Sequence, residues 1–365
     1  MYWAQPLETD FGGAHCSAHA CKPPCRNQSA CAAAAKRNRH GFRYNETVDG
    51  ELMRLLSSGN CSQAPPPGQG ERALQCAGLE AVVYHGWTVS RSFVSGIFTP
   101  GHAVHLRNGA DRPIGFWSGL DSEGGQRYYL ENAEALLDSP GEFFIRPSGL
   151  HDGGGTLLYM PVQGETPSTL GAVLPRVQEL VVVDGASDVS FSSIEFSHSD
   201  WSCGGPGKNE TCDDQSAEEQ RSAALRIRNA RNLHFDLVNI THVGFQALWF
   251  EQGVSEASFT RGNILDLGTG AVRVGPWTKA PGMDASNNRW QPGNAPKAVS
   301  NITIADSLLS DGGWVFAAGT GFLVQVRRRQ PSTNDHAMRS LPHAHTHGLA
   351  QHSCLGAVCR PTAAT

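Results

Sequence analysis

The chain has 365 residues, with 41 glycines, 21 prolines, only 17% charged residues and a formal net charge of −5. This length suits one large domain or two medium ones. The negative charge argues against a nucleic-acid-binding protein, and no apolar run reaches the roughly 18 residues of a membrane span. We therefore expect neither a nucleic-acid partner nor a transmembrane segment.

The first 80 residues form a predicted irregular, cysteine-rich segment. Six of the ten cysteines lie here among alanine, proline and glycine: Cys16, Cys21, Cys25, Cys31, Cys61 and Cys76. Their spacing matches no zinc-binding pattern. We expect a segment stapled by disulfides, with local disorder as the alternative.

Cysteine content and glycosylation sequons indicate a secretory compartment. The sequons, which are candidate glycosylation sites, are Asn27, Asn45, Asn60, Asn209, Asn239 and Asn301. The N-terminal MYWAQPLETDF lacks the basic start and apolar core of a signal peptide. Either the start of the protein is missing or the chain is cytosolic with free thiols; we expect a missing start and a secreted protein.

A β-rich region with one short helix, at residues 133–138, is predicted next. Asn132 is the expected N-cap, and Pro140-Gly141 ends the helix. Phe143 to Ile145 and Thr156 to Met160 predict two strands separated by glycine-rich turns. Because an isolated helix of this length is marginal in water, we expect the unit to be docked on something larger.

From about residue 178 the sequence repeats itself, with a coil of about 24 residues. The four repeats are LVVVDGASDVSFSSIEFSHS, ALRIRNARNLHFDLVNITHVG, ALWFEQGVSEASFTRGNILDLG, and AVRVGP resumed at KAVSNITIADSLLSDGG. Their apolar positions coincide in four columns: Val183, Ile227, Phe250, Val274; Val189, Leu233, Ala257, Ile302; Phe191, Phe235, Phe259, Ile304; and Phe196, Ile240, Ile264, Leu309. Each repeat contains three short predicted strands, which bury their apolar faces only by stacking on neighbours. The sequence therefore predicts an all-β solenoid, a parallel β-helix with three strands per coil.

Two insertions interrupt the stack, at residues 200–222 and 276–296. The first contains Cys203 and Cys212, whose spacing suits a loop-closing disulfide. Both insertions flank the same stacked strand, one at each end. Insertions on one face of a repeat array often line its binding face.

Several segments resemble a known family: RYYLENAEALLDSPGEFF, TLLYMPVQGE, IEFSHSDW, ILDLGTGAVRVG and DGGWVFAAGTGFLVQ. They are similar to right-handed parallel β-helix (pectin-lyase-like) proteins related to glycoside hydrolase family 141. The resemblance covers about Arg43 to Gln325. It implies a right-handed solenoid, a β-rich region covering the first coil, and activity on a polysaccharide or other glycan.

The chain departs from this family after Val326, where the coil pattern ends. Members of the family continue with several more coils, on which we expect their paired catalytic carboxylates, so no catalytic residue can be carried over. We expect a truncated C-terminus and a protein that is inactive if those coils are missing.

The tail contains His343, His345, His347, His352, Cys354 and Cys359, residue types that bind transition metals, but its irregular context leads us to expect no metal site. The predicted domains are 1–80, 81–176, 177–326 and 327–365.

Outward positions on the strand between the insertions form two ladders, because successive strand residues face opposite sides. The first ladder is Arg226, Trp249 and Arg273, and the second is Asp184, Arg228 and Glu251. The ring of Trp249 could stack on a sugar ring, and the guanidinium groups of the arginines on either side could bind a carboxylate or sulfate of that sugar. Trp201, in the first insertion, is a further substrate-binding candidate. The alternative is a solvated face with weak ion pairs.

A further ladder of titratable groups lies at one corner: His198, His242, Asp266 and Asp311. Glycosidic hydrolysis commonly uses two carboxyls ~5–5.5 Å apart for retention or ~6.5–9.5 Å apart for inversion. Since neighbouring coils lie ~4.8 Å apart, Asp266 and Asp311 are the candidate catalytic pair, with Asp200 and Glu251 as other candidates. Alternatively, these are turn residues that bond nearby backbone.

We accordingly expect a carbohydrate-active protein, a glycoside hydrolase if it is active. It would be a monomer without a cofactor. The closest variant is a polysaccharide lyase, in which arginine or Ca²⁺ would neutralise a uronate carboxylate. The alternative from another class is a non-catalytic glycan-binding or cell-wall-associated protein.

Overall fold

The computed structural model describes residues 2–6, 39–45, 49–50, 52, 55, 61–64, 73–75, 78–85, 88–99, 101–107, 109–110, 114, 126–147, 155–201, 212–214, 222–276, 283–284, 289–290 and 296–324. These residues fold as an antiparallel sheet followed by a parallel β-helix, which is the predicted all-β fold. No helix within them is long and apolar enough to cross a bilayer.

The N-terminal region is one antiparallel sheet in the order β3-β4-β6-β5-β8-β1-β2-β7. Its strands are β1 (Tyr2–Pro6), β2 (Gly41–Arg43), β3 (Ser62–Ala64), β4 (Ala73–Gln75), β5 (Glu80–Tyr84), β6 (Val89–Phe98), β7 (Ala103–Leu106) and β8 (Gln126–Glu131). Buried apolar residues on its strands and loops form its core, among them Phe42, Leu79, Val83, Ile97 and Tyr128. Strands β1 to β4 lie in the segment that the sequence indicated to be irregular. That interpretation missed them because strands of three to five residues carry too little periodicity to be recognised.

A hairpin of β9 (Phe143–Pro147) and β10 (Gly155–Tyr159) follows this sheet, and it confirms the two predicted strands. The predicted helix at 133–138 is wrong. A single 3-10 turn spans Glu134–Leu136, and its N-cap is Ala133, which makes no side-chain cap bond. Asn132 instead adopts a left-handed conformation and donates from Nδ2 to the carbonyl oxygen of Gly78 at 2.8 Å. A segment this short lacks the successive hydrogen bonds that offset helix nucleation.

The solenoid begins with β11 (Val181–Asp184), β12 (Ser187–Ser192) and β13 (Glu195–Ser199). Strand β14 (Cys212–Asp214) lies in the first insertion. The second and third coils are β15 (Ala223–Arg228), β16 (Arg231–Asp236) and β17 (Asn239–Val243), then β18 (Gln246–Phe250), β19 (Ser255–Thr260) and β20 (Asn263–Leu267). The fourth is β21 (Val272–Val274), β24 (Ser300–Ala305) and β25 (Leu308–Ser310), with β22 (Met283–Asp284) and β23 (Arg289–Trp290) in the second insertion, and β26 (Phe322–Val324) follows.

Three parallel sheets result, β11-β15-β18-β21-β26, β12-β16-β19-β24 and β13-β17-β20-β25. The four predicted apolar columns are paired in the predicted register throughout. Their residues form one continuous core, in which the rings of Phe191 and Phe235 are stacked 5.0 Å apart. The repeat therefore folds as the sequence predicts, and each coil buries its apolar face on the next.

The corners of the coils repeat a backbone conformation as well as a hydrophobic pattern. Non-glycine residues with positive φ occupy three equivalent positions in each coil. The columns are Asp188, Asn232, Glu256, Asn301; Ser193, Leu237, Arg261, Asp306; and His198, His242, Asp266, Asp311. Left-handed conformations are uncommon outside glycine, although Asn, Asp and His tolerate them best. The third column is the predicted titratable ladder.

Candidate functional site

The titratable column at the end of the third strand ladder is the first part of the site. His198, His242, Asp266 and Asp311 follow strand positions that are paired in register from coil to coil. The imidazole rings of His198 and His242 are stacked, with centroids 4.9 Å apart and planes inclined by 10°. The structure therefore brings all four predicted groups into one row.

Asp266 is hydrogen-bonded within this row. Nδ1 of His242 and Oδ2 of Asp266 are hydrogen-bonded, and both side chains are half-exposed. On the next coil, the backbone carbonyl of Asp311 accepts a hydrogen bond of 2.8 Å from the amide of Leu267, which follows Asp266 in the chain. The two aspartates thus lie on adjacent coils, one oriented by an imidazole and the other, Asp311, exposed.

Metal binding is one alternative for such a row of imidazoles and carboxylates. Among the described residues, however, no three His, Cys, Asp or Glu side chains are grouped so that they could hold a metal ion. The histidines and cysteines of the tail, beyond residue 324, lie outside this part of the chain.

The predicted ladder of Arg226, Trp249 and Arg273 is present in register. The guanidinium carbons of Arg226 and Arg273 lie 5.2 Å and 4.3 Å from the centre of the Trp249 ring. Trp249 and Arg273 are each only 1% exposed, and Nε1 of Trp249 donates to the carbonyl oxygen of Gly275 at 2.8 Å. The interpretation of Trp249 as an open sugar platform therefore needs correction, since its ring is covered in this structure.

The predicted ladder of Asp184, Arg228 and Glu251 separates into two sets of ion pairs. Arg228 Nε donates to Asp184 at 2.9 Å, whereas Glu251 accepts from Nε of Arg226 at 2.9 Å. Nη1 of Arg226 also donates to Glu179 at 3.1 Å. Hydrogen bonds to the Asp184 carboxylate, first from Asn229 and then from Arg228, lower its pKa. Arg226 and Arg228 therefore neutralise carboxylates of the protein itself.

The corner that follows the titratable column differs from coil to coil. In the second and third coils it is short, at residues 244–245 and 268–271, but in the fourth it extends over residues 311–321. This longer segment, which we call the corner loop, folds back over the earlier coils. Phe316 is fully buried and stacks on Phe245 with ring centroids 6.1 Å apart, and its ring meets that of Trp201 edge-on at 5.9 Å.

Trp201 therefore belongs to an aromatic cluster with Phe245 and Phe316. The guanidinium of Arg91, from β6 of the N-terminal sheet, lies 5.2 Å from the centre of the Trp201 ring. Strand β14 of the first insertion pairs antiparallel with the same strand β6. The N-terminal sheet thus contacts the solenoid at this corner, and Trp201 is a contact residue between the two regions in this structure.

Trp314 is a residue that the sequence interpretation did not single out. It lies in the corner loop, three residues after Asp311, and 69% of it is exposed. Its amide donates to the carbonyl oxygen of Leu267 at 3.1 Å, so its backbone lies beside Asp266. The sequence offered two signals: this turn, DGGWVFAAGTG, is longer than the turns of the second and third coils, and it lies in one of the segments that resemble the known family.

The remaining predicted sites are the glycosylation sequons and the cysteine pair. Asn45 and Asn301 are exposed, and Asn239 is half-buried, where its Oδ1 accepts a hydrogen bond of 2.9 Å from Asn263. The sequons at Asn27, Asn60 and Asn209 lie outside the described residues. The same holds for Cys203, so the pairing of Cys203 with Cys212 stays a prediction.

Comparison with known proteins identifies a similar structure but no family. One solved structure, titled "Glycoside hydrolase", matches with a TM-score of 0.55 at 17% sequence identity, over 88% of this chain and 54% of that chain. This chain therefore spans about half the length of that protein. At this identity the likeness establishes the fold alone. No protein-family model matches the sequence, and no curated protein matches it.

Proposed function

We propose that this chain is a carbohydrate-active protein that binds a polysaccharide and, with Asp266 and Asp311, hydrolyses a glycosidic bond. The observation that carries the proposal is the position of these carboxylates on adjacent coils, with Asp266 beside His242. The fold shared with a protein titled "Glycoside hydrolase" supports it. The relation to glycoside hydrolase family 141 is part of the same proposal.

The spacing of the coils decides which mechanism the pair would follow. Neighbouring strands lie ~4.8 Å apart, which matches the ~5–5.5 Å separation of carboxyls in retaining enzymes. Asp266, oriented by His242, would attack the anomeric carbon while Asp311 protonates the departing glycosidic oxygen. Asp311 would then take a proton from water as that water attacks the same carbon and releases Asp266. No cofactor enters these steps.

A second candidate function is glycan binding without catalysis, for example in a wall-associated protein. The exposure of Asp266 and Asp311 favours it, because a general acid is commonly set in a more enclosed, apolar site.

A polysaccharide lyase has less support. Arg226 is occupied by Glu179 and Glu251, and Arg273 is buried, so neither is placed to meet a uronate.

The experiment is a measurement of reducing ends released from a panel of polysaccharides by the purified protein. We expect Asp266→Asn and Asp311→Asn each to lower turnover by about 100-fold or more. Asp306→Asn is the matched control, since Asp306 is an exposed, left-handed aspartate at another corner of the same coil. Binding of a glycan with no turnover by the unmodified protein would favour the second candidate instead.

We also propose that the protein is secreted. The cysteine content and the glycosylation sequons support an oxidising, secretory compartment. A monomer with a glycan as its partner is the simplest assembly consistent with this proposal.

A further inference from the structure

We propose that Trp314 is a stacking subsite for an uncharged sugar ring, next to Asp266 and Asp311. This inference rests on the function proposed above, and it names both a binding residue and a class of glycan. It is carried by the exposure of the indole, the rigidity of its backbone and the charges around it.

Trp314 is the most exposed large apolar residue in the described part of the chain, at 69%. Tryptophan has a large apolar surface, and a free indole face in a folded protein commonly contacts a ligand or partner. The electron-rich face of the ring attracts the weakly positive C–H groups on one face of a pyranose. Trp201 and Trp249, the tryptophans singled out from the sequence, do not offer such a face here, since one is packed in a cluster and the other is buried.

The backbone around Trp314 is held firmly although its side chain is free. The amide of Gly313 donates to Thr269 at 2.8 Å, and those of Val315 and Phe316 both donate to Gly268, at 2.9 Å and 2.8 Å. The ring of Phe316 is buried against Phe245. Because the backbone is already ordered, binding would restrict only the two side-chain torsions of the tryptophan, which is a small entropic cost for a binding residue.

The charges near Trp314 select the class of sugar. Asp266 and Asp311 lie on the same corner and would repel a uronate carboxylate or a sulfate. The arginines that could attract such a group are occupied: Arg226 is paired with Glu179 and Glu251, and Arg273 is buried. Carboxylates and an imidazole are, however, good partners for sugar hydroxyls. A neutral glycan therefore fits this corner better than an acidic one.

The experiment measures binding by affinity electrophoresis and by isothermal titration, with neutral polysaccharides (xylan, glucan and mannan) and with acidic ones (polygalacturonate and alginate). We expect the unmodified protein to bind a neutral glycan, and Trp314→Ala to weaken that binding about tenfold or more, as for an anchoring tryptophan. Trp314→Phe should recover most of the affinity. Phe143→Ala is the matched control, because Phe143 is 67% exposed but lies on the β9–β10 hairpin, and it should bind as the unmodified protein does.

Three other outcomes would overturn the inference, and each has a separate meaning. Unchanged binding of a neutral glycan by Trp314→Ala would remove Trp314 from the site and leave the proposed function standing. Binding of acidic glycans alone would contradict the assignment of a neutral sugar. Binding of no glycan of either class by the unmodified protein would contradict the proposed function together with this inference.

Discussion

Arg91 and Val315 are joined by a hydrogen bond across 224 residues of sequence, with Nη2 of the arginine 2.9 Å from the carbonyl oxygen. The same buried guanidinium contacts Glu80 at 3.1 Å and forms an ion pair with Glu131. One side chain of the N-terminal sheet is therefore attached to the corner loop that carries Trp314. The N-terminal region thus helps to hold this loop in place.

The first prediction concerns the removal of this contact. Arg91→Met should lower the free energy of unfolding by about 3–5 kcal/mol, because Glu80 is then left buried without its partner. Thermal unfolding followed by circular dichroism measures the change. The control Arg176→Met, at an exposed arginine of the described segment 155–201, should be within about 0.5 kcal/mol of the unmodified protein. An Arg91→Met protein of unaltered stability would show that the contact is unimportant.

The second prediction is the pH dependence of the same pair. Burial raises the pKa of Glu80, while the charge of Arg91 and its hydrogen bond oppose the rise. A carboxyl with a raised pKa in the folded state stabilises the protein fully below its ordinary pKa of 4.5, and that contribution is lost as the pH rises through the folded value. Without Arg91 the loss should be larger. Arg91→Met should therefore be destabilised more at pH 7 than at pH 4, and this difference should be smaller in Arg91→Met/Glu80→Gln, where only the ion pair with Glu131 is still lost.

The third prediction is an acid-sensitive pair on the surface of the solenoid. Hydrogen bonds from Arg261 first, and then from Thr260, lower the pKa of Asp236 despite some desolvation. Stability from a lowered pKa is present above the ordinary value of 3.8 and is lost as the pH falls through the folded value. The melting temperature of Asp236→Asn should accordingly fall less below pH 4 than that of the unmodified protein. Arg261→Gln should behave in the same way, and an acid response identical in all three proteins would contradict the coupling.

The fourth prediction concerns close packing at the corners. A Cβ atom at Gly268 would lie 1.9 Å from the carbonyl oxygen of Gly244. Because backbone atoms on both sides would have to shift, Gly268→Ala should cost about 3 kcal/mol or more, at the upper end for overpacking. Gly171→Ala is the control, since a Cβ atom at Gly171 would have nothing within 4 Å of it. Yield of soluble protein and melting temperature would both be measured.

The fifth prediction is the pattern of glycosylation after expression in a secretory host. Asn45 and Asn301 are exposed and should carry glycans, whereas Asn239 is half-buried and accepts a hydrogen bond from Asn263, so it should not. Mass spectrometry of tryptic glycopeptides gives the occupancy of each sequon. Full occupancy of Asn239 would mean that this strand is open to the glycosylation machinery before the coils stack.

The solenoid could be predicted from the sequence because its register depends on a periodic property. Phe191, Phe235 and Phe259 recur with the coil, and any other register would expose them. The predicted row from His198 to Asp311 followed from the same alignment. The prediction of a short helix was wrong because its few residues make no such periodic pattern. The sequence interpretation missed the strands before residue 80 for the same reason.

Burial by distant segments could not be predicted in this way. The alignment places Trp249 correctly on the outward side of its strand, but the repeat contains no information about what covers that side. Trp314 presents the opposite case. It lies in a turn without periodicity, and its exposure depends on hydrogen bonds from the corner loop to Gly268 and Thr269.

The left-handed columns have a consequence for how such a protein changes over evolutionary time. A position with φ near 55° excludes β-branched residues but accepts Asn, Asp, His and Gly. Of these, Asn, Asp and His carry hydrogen-bonding or titratable groups. Each new coil made by duplication therefore inherits, at His198 and its counterparts, a surface position whose substitutions change reactivity while the apolar core stays as it was. Pairs of functional groups on adjacent coils can arise there by single substitutions, as His242 and Asp266 illustrate.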